Sequence, residues 1–338
     1  MKTNLALLFL TLGACTNDNN QLEDTDLSGE EQAILAVKDV VDADLVNLYD
    51  ASEAIQTAAP EIAWDADETT EMKSAWKDAR SAYERIEGAI AVLFPELDAS
   101  TDERYDGFIE EAADPDLFDG EGVTGVHGIE RILWADAHPS YVVDFESELP
   151  NYTAAAFPST DDEALAFKNG LVQRLVDDVQ LMQTQFEPLA LDPAAAYDGV
   201  VGSMAEQVEK VSLASTGEDE SRYAQHTLAD MRANLAGGLA LYEGFSHWLL
   251  EQDGGEVVDA DIREGFARVA DAYDAFDGDG IPLVPEGWNA DAPTDEHLAT
   301  EYGQLWTLVQ AESDPAIEGS LVERMAAAAA LLDISVAL

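Results

Sequence analysis

The chain reads as an all-α protein. Apolar residues recur at three- and four-residue spacing in nearly every segment, alanine is abundant, and strand-like runs are scarce. The breaks between periodic segments carry helix-ending chemistry: Ala59-Pro60, Pro95, Asp114-Pro115, His138-Pro139, Asp192-Pro193, Gly254-Gly255 and Asp314-Pro315. Helices are expected over 29–58, 68–94, 101–112, 122–136, 161–187, 197–214, 219–252, 259–276, 295–312 and 315–336. Long helices joined by short breaks predict two antiparallel bundles. The first covers about 29–137 and the second about 161–338, with the Pro-containing stretch 138–160 as the connection. A second loop is expected over 277–293. Its Asp277-Gly278-Asp279-Gly280 fails the calcium-loop pattern, because Pro282 stands where that loop needs glycine and Trp288 where it needs glutamate.

The N-terminus stands apart from the fold. Lys2 precedes a short apolar run, Leu5 to Leu12, which has the architecture of a signal peptide over residues 1–15. Leu12-Gly13-Ala14-Cys15 resembles a bacterial lipobox, so Cys15 is the expected lipidation site. Thr16, by resemblance to sorted lipoproteins, favours the outer membrane, facing the periplasm. Cys15 is the only cysteine, which excludes a disulfide and a thiolate metal site. Residues 16–28 are polar and acidic and read as a flexible tether ahead of a domain over 29–338.

Acidic residues outnumber basic ones 70 to 16, for a net charge of −54. Such a chain repels nucleic acid and anionic membrane surfaces, and it attracts cations. A solvated acidic surface accounts for most of that charge, so the charge by itself does not specify a metal site.

The most informative stretch is Thr124-Gly125-Val126-His127-Gly128-Ile129-Glu130-Arg131-Ile132-Leu133-Trp134. At 100° per residue, His127 and Glu130 lie roughly 60° apart on one helix face, beside the stripe of Val126, Ile129 and Leu133. A carboxylate bordering buried surface needs a partner or a cation. Upstream, Trp76, Arg80, Tyr83, Glu87 and Ile90 share one helical face, with Glu84 turned towards the polar side. Glu87 is therefore the better inward ligand; the alternative is a metal-free ion pair of Arg80 with Glu84 or Glu87. Asp98 is either a turn former or a further ligand. Asp102 reads as a residue at a helix N-terminus, where an acid is favoured regardless of function. One histidine with several carboxylates suits iron, manganese or zinc. No His-Glu-x-x-His peptidase pattern occurs. The remaining histidines read as structural: His247 as helix packing, His138 in a loop, His297 at a helix start.

Together these residues resemble the imelysin-like family, most closely its EfeM/EfeO branch of periplasmic iron-uptake proteins. The resemblance rests on Tyr83-Glu84-Arg85-Ile86-Glu87, Phe94, Leu97-Asp98, the Gly-x-His-x-x-Glu pattern at Gly125, His127 and Glu130, and Leu133-Trp134. It implies a pair of helical bundles, with His127 and Glu130 as metal ligands and Glu87 and Asp98 as neighbours. A second block, Gly217-Glu218 followed by Arg222-Tyr223-Ala224-Gln225-His226-Thr227-Leu228-Ala229-Asp230 and Asn234, also looks like this branch. The family places its histidine at the position held here by Gln225. On a wheel Tyr223, His226, Asp230 and Asn234 make one polar stripe, which either lines the cleft or faces water, with water the expectation.

The resulting reading is a lipid-anchored metal-binding protein of the cell envelope, capturing iron and passing it to a partner such as a membrane permease. Capture rather than turnover is expected. The alternatives are an imelysin-type metallopeptidase and a polymer-binding or scaffolding lipoprotein.

Overall fold

A computed structural model describes residues 27–110 and 112–336. The expected signal peptide, Cys15 and the tether as far as residue 26 lie outside the described residues. Among those described, the chain is helical and contains no strand, as the periodicity requires. The helices are α1 (Gly29–Ala58), α2 (Thr70–Glu84), α3 (Glu87–Leu93), α4 (Pro95–Asp102), α5 (Tyr105–Ile109), α6 (Gly125–Leu133), α7 (Ser140–Ser147), α8 (Asp161–Ala166), α9 (Val172–Phe186), α10 (Pro193–Ala214), α11 (Thr227–Leu250), α12 (Gly255–Asp274), α13 (Asp295–Leu298), α14 (Glu301–Ser313) and α15 (Leu321–Leu331). Among the described residues no helix is long and apolar enough to cross a membrane.

Local chemistry sets several boundaries. α1 begins where Ser28 and Glu31 form a reciprocal capping box. α10 begins with Asp192 accepting from the amides of Ala194 and Ala195, and with Pro193 in the first turn, where a missing N–H costs nothing. A π-helical turn over Phe167–Leu171 joins α8 to α9 within the single helix expected over 161–187. α1 packs against α2, α9 and α11, and α11 also packs against α2, α10 and α12. One apolar core runs through these helices, from Ala33 on α1 to Leu332 just past α15.

Three departures from the periodicity shape the site. The helix expected over 68–94 stops at Glu84 and restarts at Glu87. At this break α11 comes so close that a Cβ on Gly237 would sit 2.0 Å from the Arg85 carbonyl oxygen. Glu84, the last residue of α2, is buried with Glu87 one turn beyond Arg80, with which it pairs, which corrects the polar-side expectation. The second departure is α4, which starts at Pro95, so Asp102 ends a helix rather than beginning one. The third is the stretch 219–226, a chain of turns with Gln225 at φ 53°, which delays α11 to Thr227. Tyr223, His226, Asp230 and Asn234 are all buried, which corrects the solvent-facing expectation. His247, by contrast, is not a packing residue: its side chain is 65 % exposed.

Candidate metal centre

α6 is delivered to the end of α4 by its first residue. Gly125 has φ +73°, and a Cβ there would lie 2.2 Å from the Thr101 carbonyl oxygen. Only glycine permits both the left-handed conformation and the approach. The Thr124 hydroxyl donates to the Ser100 carbonyl (2.9 Å), and the Trp76 indole N–H on α2 donates to the Val126 carbonyl (2.8 Å). The glycine two residues before the histidine thus brings His127 against Asp102.

His127 is 1 % exposed and has two different faces. Nδ1 lies 2.9 Å from Glu130 Oε2. The other oxygen of Glu130 accepts from the backbone amides of Tyr223 (2.9 Å) and Ala224 (2.8 Å), in the turns before α11. Glu130 is therefore locked between the imidazole and the backbone. Nε2 looks the other way, towards Asp102 Oδ1 at 3.4 Å and Glu220 Oε1 at 3.7 Å. It has no hydrogen-bond partner among the described residues. The ligand atoms of Asp102, His127 and Glu220 all lie within 4.8 Å of one another.

Glu220 Oε1 also belongs to a second triad, with Glu84 and Glu87, whose ligand atoms meet the same limit. Lys210 on α10 places its ammonium against all three: 3.2 Å from Glu84, 3.0 Å from Glu87 and 3.1 Å from Glu220. Arg80 on α2 bonds Glu84 and Asp102 and lies 3.2 Å from Glu220 and 3.6 Å from Asp230. Glu87 also accepts from Asn234 (2.7 Å), which accepts from Gln207 (2.7 Å), which accepts from Tyr273 (2.8 Å). Asp98 accepts from the Tyr83 hydroxyl.

The cluster opens onto a cavity of about 240 Å³ lined by Glu87, Asp98, Asp102, Glu103, Arg104, Glu206, Glu209 and Glu220. Buried acids with so few compensating cations hold protons. Burial, only partly offset by Lys210 and Arg80, pushes Glu84 up to about 7. Burial and the neighbouring Glu84 carry Glu87 well above the usual carboxylate range. Burial pushes Asp98 up to about 6 and Glu206 up to about 7. For Glu220 burial acts upward too, but Lys210, His127 and Arg80 outweigh it and hold the carboxyl well below its ordinary value. For His127 burial acts downward, and the surrounding carboxylates of Asp102, Glu130 and Glu220 outweigh it and hold the imidazole well above its ordinary value.

Of the four residues singled out from the sequence, His127 and Glu130 are in direct contact, while Glu87 and Asp98 line the adjoining cavity. The sequence gives Asp102 a helix-start role rather than a ligand's, and it singles out neither Glu220 nor Lys210. Pro95 is the signal for Asp102: read as the first residue of a helix, it places Asp98 and Asp102 one turn apart on the same face. No periodic signal marks Glu220 or Lys210.

The chain is thus a helical protein built around a buried imidazole–carboxylate cluster. The sequence profile of the family described as Imelysin matches residues 42–313, and the chain belongs to that family. It is 29 % identical over 236 residues to the iron uptake system component EfeO of Escherichia coli O1:K1 / APEC, an alignment covering 68 % of this chain and 52 % of that protein. The EfeO of Shigella flexneri is 28 % identical over the same length. The chain spans about half the length of these curated relatives. The crystal structure of an imelysin-like protein from Psychrobacter arcticum 273-4 superposes with a TM-score of 0.58 at 12 % identity, covering 93 % of this chain and 99 % of that one, a likeness of fold.

Proposed function

We propose that this chain captures an iron cation in the cell envelope for uptake, as a carrier rather than a catalyst. The observation that carries the reading is His127 Nε2, a buried nitrogen without a hydrogen-bond partner, facing two carboxylates while its other nitrogen is held by a third. An imidazole held by a carboxylate on its far side is the usual arrangement of a metal-binding histidine. His127, Asp102 and Glu220 supply the ligands, Glu130 orients the ring, and Glu87 and Asp98 stand at the approach from the cavity. One imidazole with carboxylates accepts iron, manganese and zinc; the EfeO relatives favour iron. The acidic surface raises the local cation concentration. Cys15 anchors the chain by lipid to the outer membrane, and the recipient is a membrane permease.

Capture is coupled to protons. The incoming cation displaces the proton at Nε2 and those on the raised carboxyls, and their return favours release. Calorimetric titration of chelator-stripped protein with iron(II), beside His127→Ala, tests the reading. One saturable site per chain, lost in the variant, is expected. Diffuse binding that ignores the substitution would assign cation binding to the acidic surface and remove the carrier function.

A further inference from the structure

The Glu84, Glu87 and Glu220 triad has the ligand spacing of a metal site, and a lysine is already in it. The Lys210 ammonium sits 3.0–3.2 Å from one oxygen of each glutamate, donating a hydrogen bond to Glu87 and ion-pairing with Glu84 and Glu220. Lys210 and all three glutamates are buried. A second observation shows unused ligand capacity: Glu84 Oε2 is buried with no hydrogen-bond partner among the described residues, although Glu84 Oε1 contacts both Arg80 and Lys210. Glu220 Oε1 belongs to both triads.

We propose that Lys210 is a tethered cation occupying a second metal cage, and that it limits the centre to one bound ion. The proposal rests on the metal-binding reading of His127, Asp102 and Glu220. A lysine ammonium is a compact point charge at the end of a flexible stem. It holds the triglutamate cage together by one hydrogen bond, to Glu87, and by ion pairs to Glu84 and Glu220, whether or not the histidine side is loaded. Contacts of 3.0–3.2 Å are ammonium distances. A transition-metal ion draws carboxylates to roughly 2.0–2.2 Å, which three ligand atoms within 4.8 Å of one another reach by small side-chain shifts. With the ammonium in place, a second divalent ion meets a filled and charge-compensated cage. Without it, three carboxylates are left to recruit one. The shared oxygen of Glu220 would then bridge two ions, so Lys210 decides between a mononuclear carrier and a dinuclear centre.

The test is manganese(II) titration of the full chain, read by calorimetry and by electron paramagnetic resonance, in wild type, Lys210→Ala and Lys210→Gln. Wild type is expected to bind one ion with an isolated six-line signal. Both variants are expected to bind two, with the broadened signal of a spin-coupled pair. One ion in wild type and one in both variants overturns the proposal and leaves the metal-binding reading standing. No specific ion in wild type, for manganese here and for iron(II) in the titration above, removes the metal-binding reading itself. Should Lys210→Ala fold poorly, its melting temperature decides: manganese is expected to raise it by more than it raises that of wild type, and a smaller or equal rise overturns the proposal.

Discussion

The two faces of His127 are built on opposite plans. On the Nδ1 side Glu130 is fully matched: it takes the imidazole with one oxygen and two backbone amides with the other. Behind it Arg131 bonds Glu146 at 3.3 Å, and Glu146 accepts from the Tyr223 hydroxyl. On the Nε2 side atoms are left over: Nε2 itself, Glu84 Oε2 and Asp230 Oδ1 are buried without hydrogen-bond partners. A saturated network fixes geometry and has nothing to offer a ligand. An unsaturated one is costly in isolation, and a cation relieves it. One imidazole thus separates an orienting half from a binding half, and neighbours in sequence fall on both sides of that line.

The largest expected effect sets the halves against each other. Glu220→Gln and Asp102→Asn each remove a charged ligand from the open face, and each is expected to reduce iron affinity more than Glu130→Gln does. Glu130→Gln keeps the shape and one acceptor, so its loss is expected at roughly 10–100-fold, the range for a group that orients a ligand. Calorimetry of the three variants checks the ranking. A greater loss from Glu130→Gln would make Glu130 a direct ligand, and the orienting assignment would have to be abandoned.

The pH response comes next. Glu84 and Glu206 rise to about 7 from an ordinary 4.5, and Asp98 to about 6 from 3.8, chiefly through burial. Groups with raised values in the folded state bind more protons folded than unfolded. Their stabilisation is complete below the ordinary value and disappears as pH rises through the raised one. The metal-free protein is therefore expected to lose thermal stability between pH 4.5 and about 7. Glu220, lowered by Lys210, His127 and Arg80 against its burial, acts only below this window. Metal bound beside these carboxyls adds positive charge that favours their ionised form, so the loaded protein is expected to lose less over that range, and affinity is expected to rise with pH. Melting curves of stripped and loaded protein at matched high salt check both. Parallel curves would show that the bound ion does not share these carboxylates.

Much of the fold was legible in the sequence and about half of the site was. The capping box at Ser28 and Glu31 starts α1 where the expected helix starts, and the Pro and Gly breaks separate most of the remaining helices. His127 and Glu130 were legible because both lie on one helix, where periodicity orders side chains. Glu220 lies 93 residues from His127 and on no helix, in turns that read as the start of α11. Periodicity ranks the faces of one element and says nothing of which elements meet.

The smallest effect expected concerns salt. Surface carboxylates repel one another across distances that salt screens, with a Debye length of about 10 Å at 0.1 M. Raising ionic strength should therefore raise the melting temperature of this chain, whose net charge is −54. The buried contacts around His127 are screened far less, because no mobile ions stand between them. Iron affinity at the Nε2 face is expected to weaken only modestly with salt, through loss of long-range attraction, while diffuse binding to the surface falls steeply. Titrations at rising salt separate the two. An affinity that collapses in step with the surface would place the cation among the exposed acids, and the difference between the two faces of His127 would then concern packing alone.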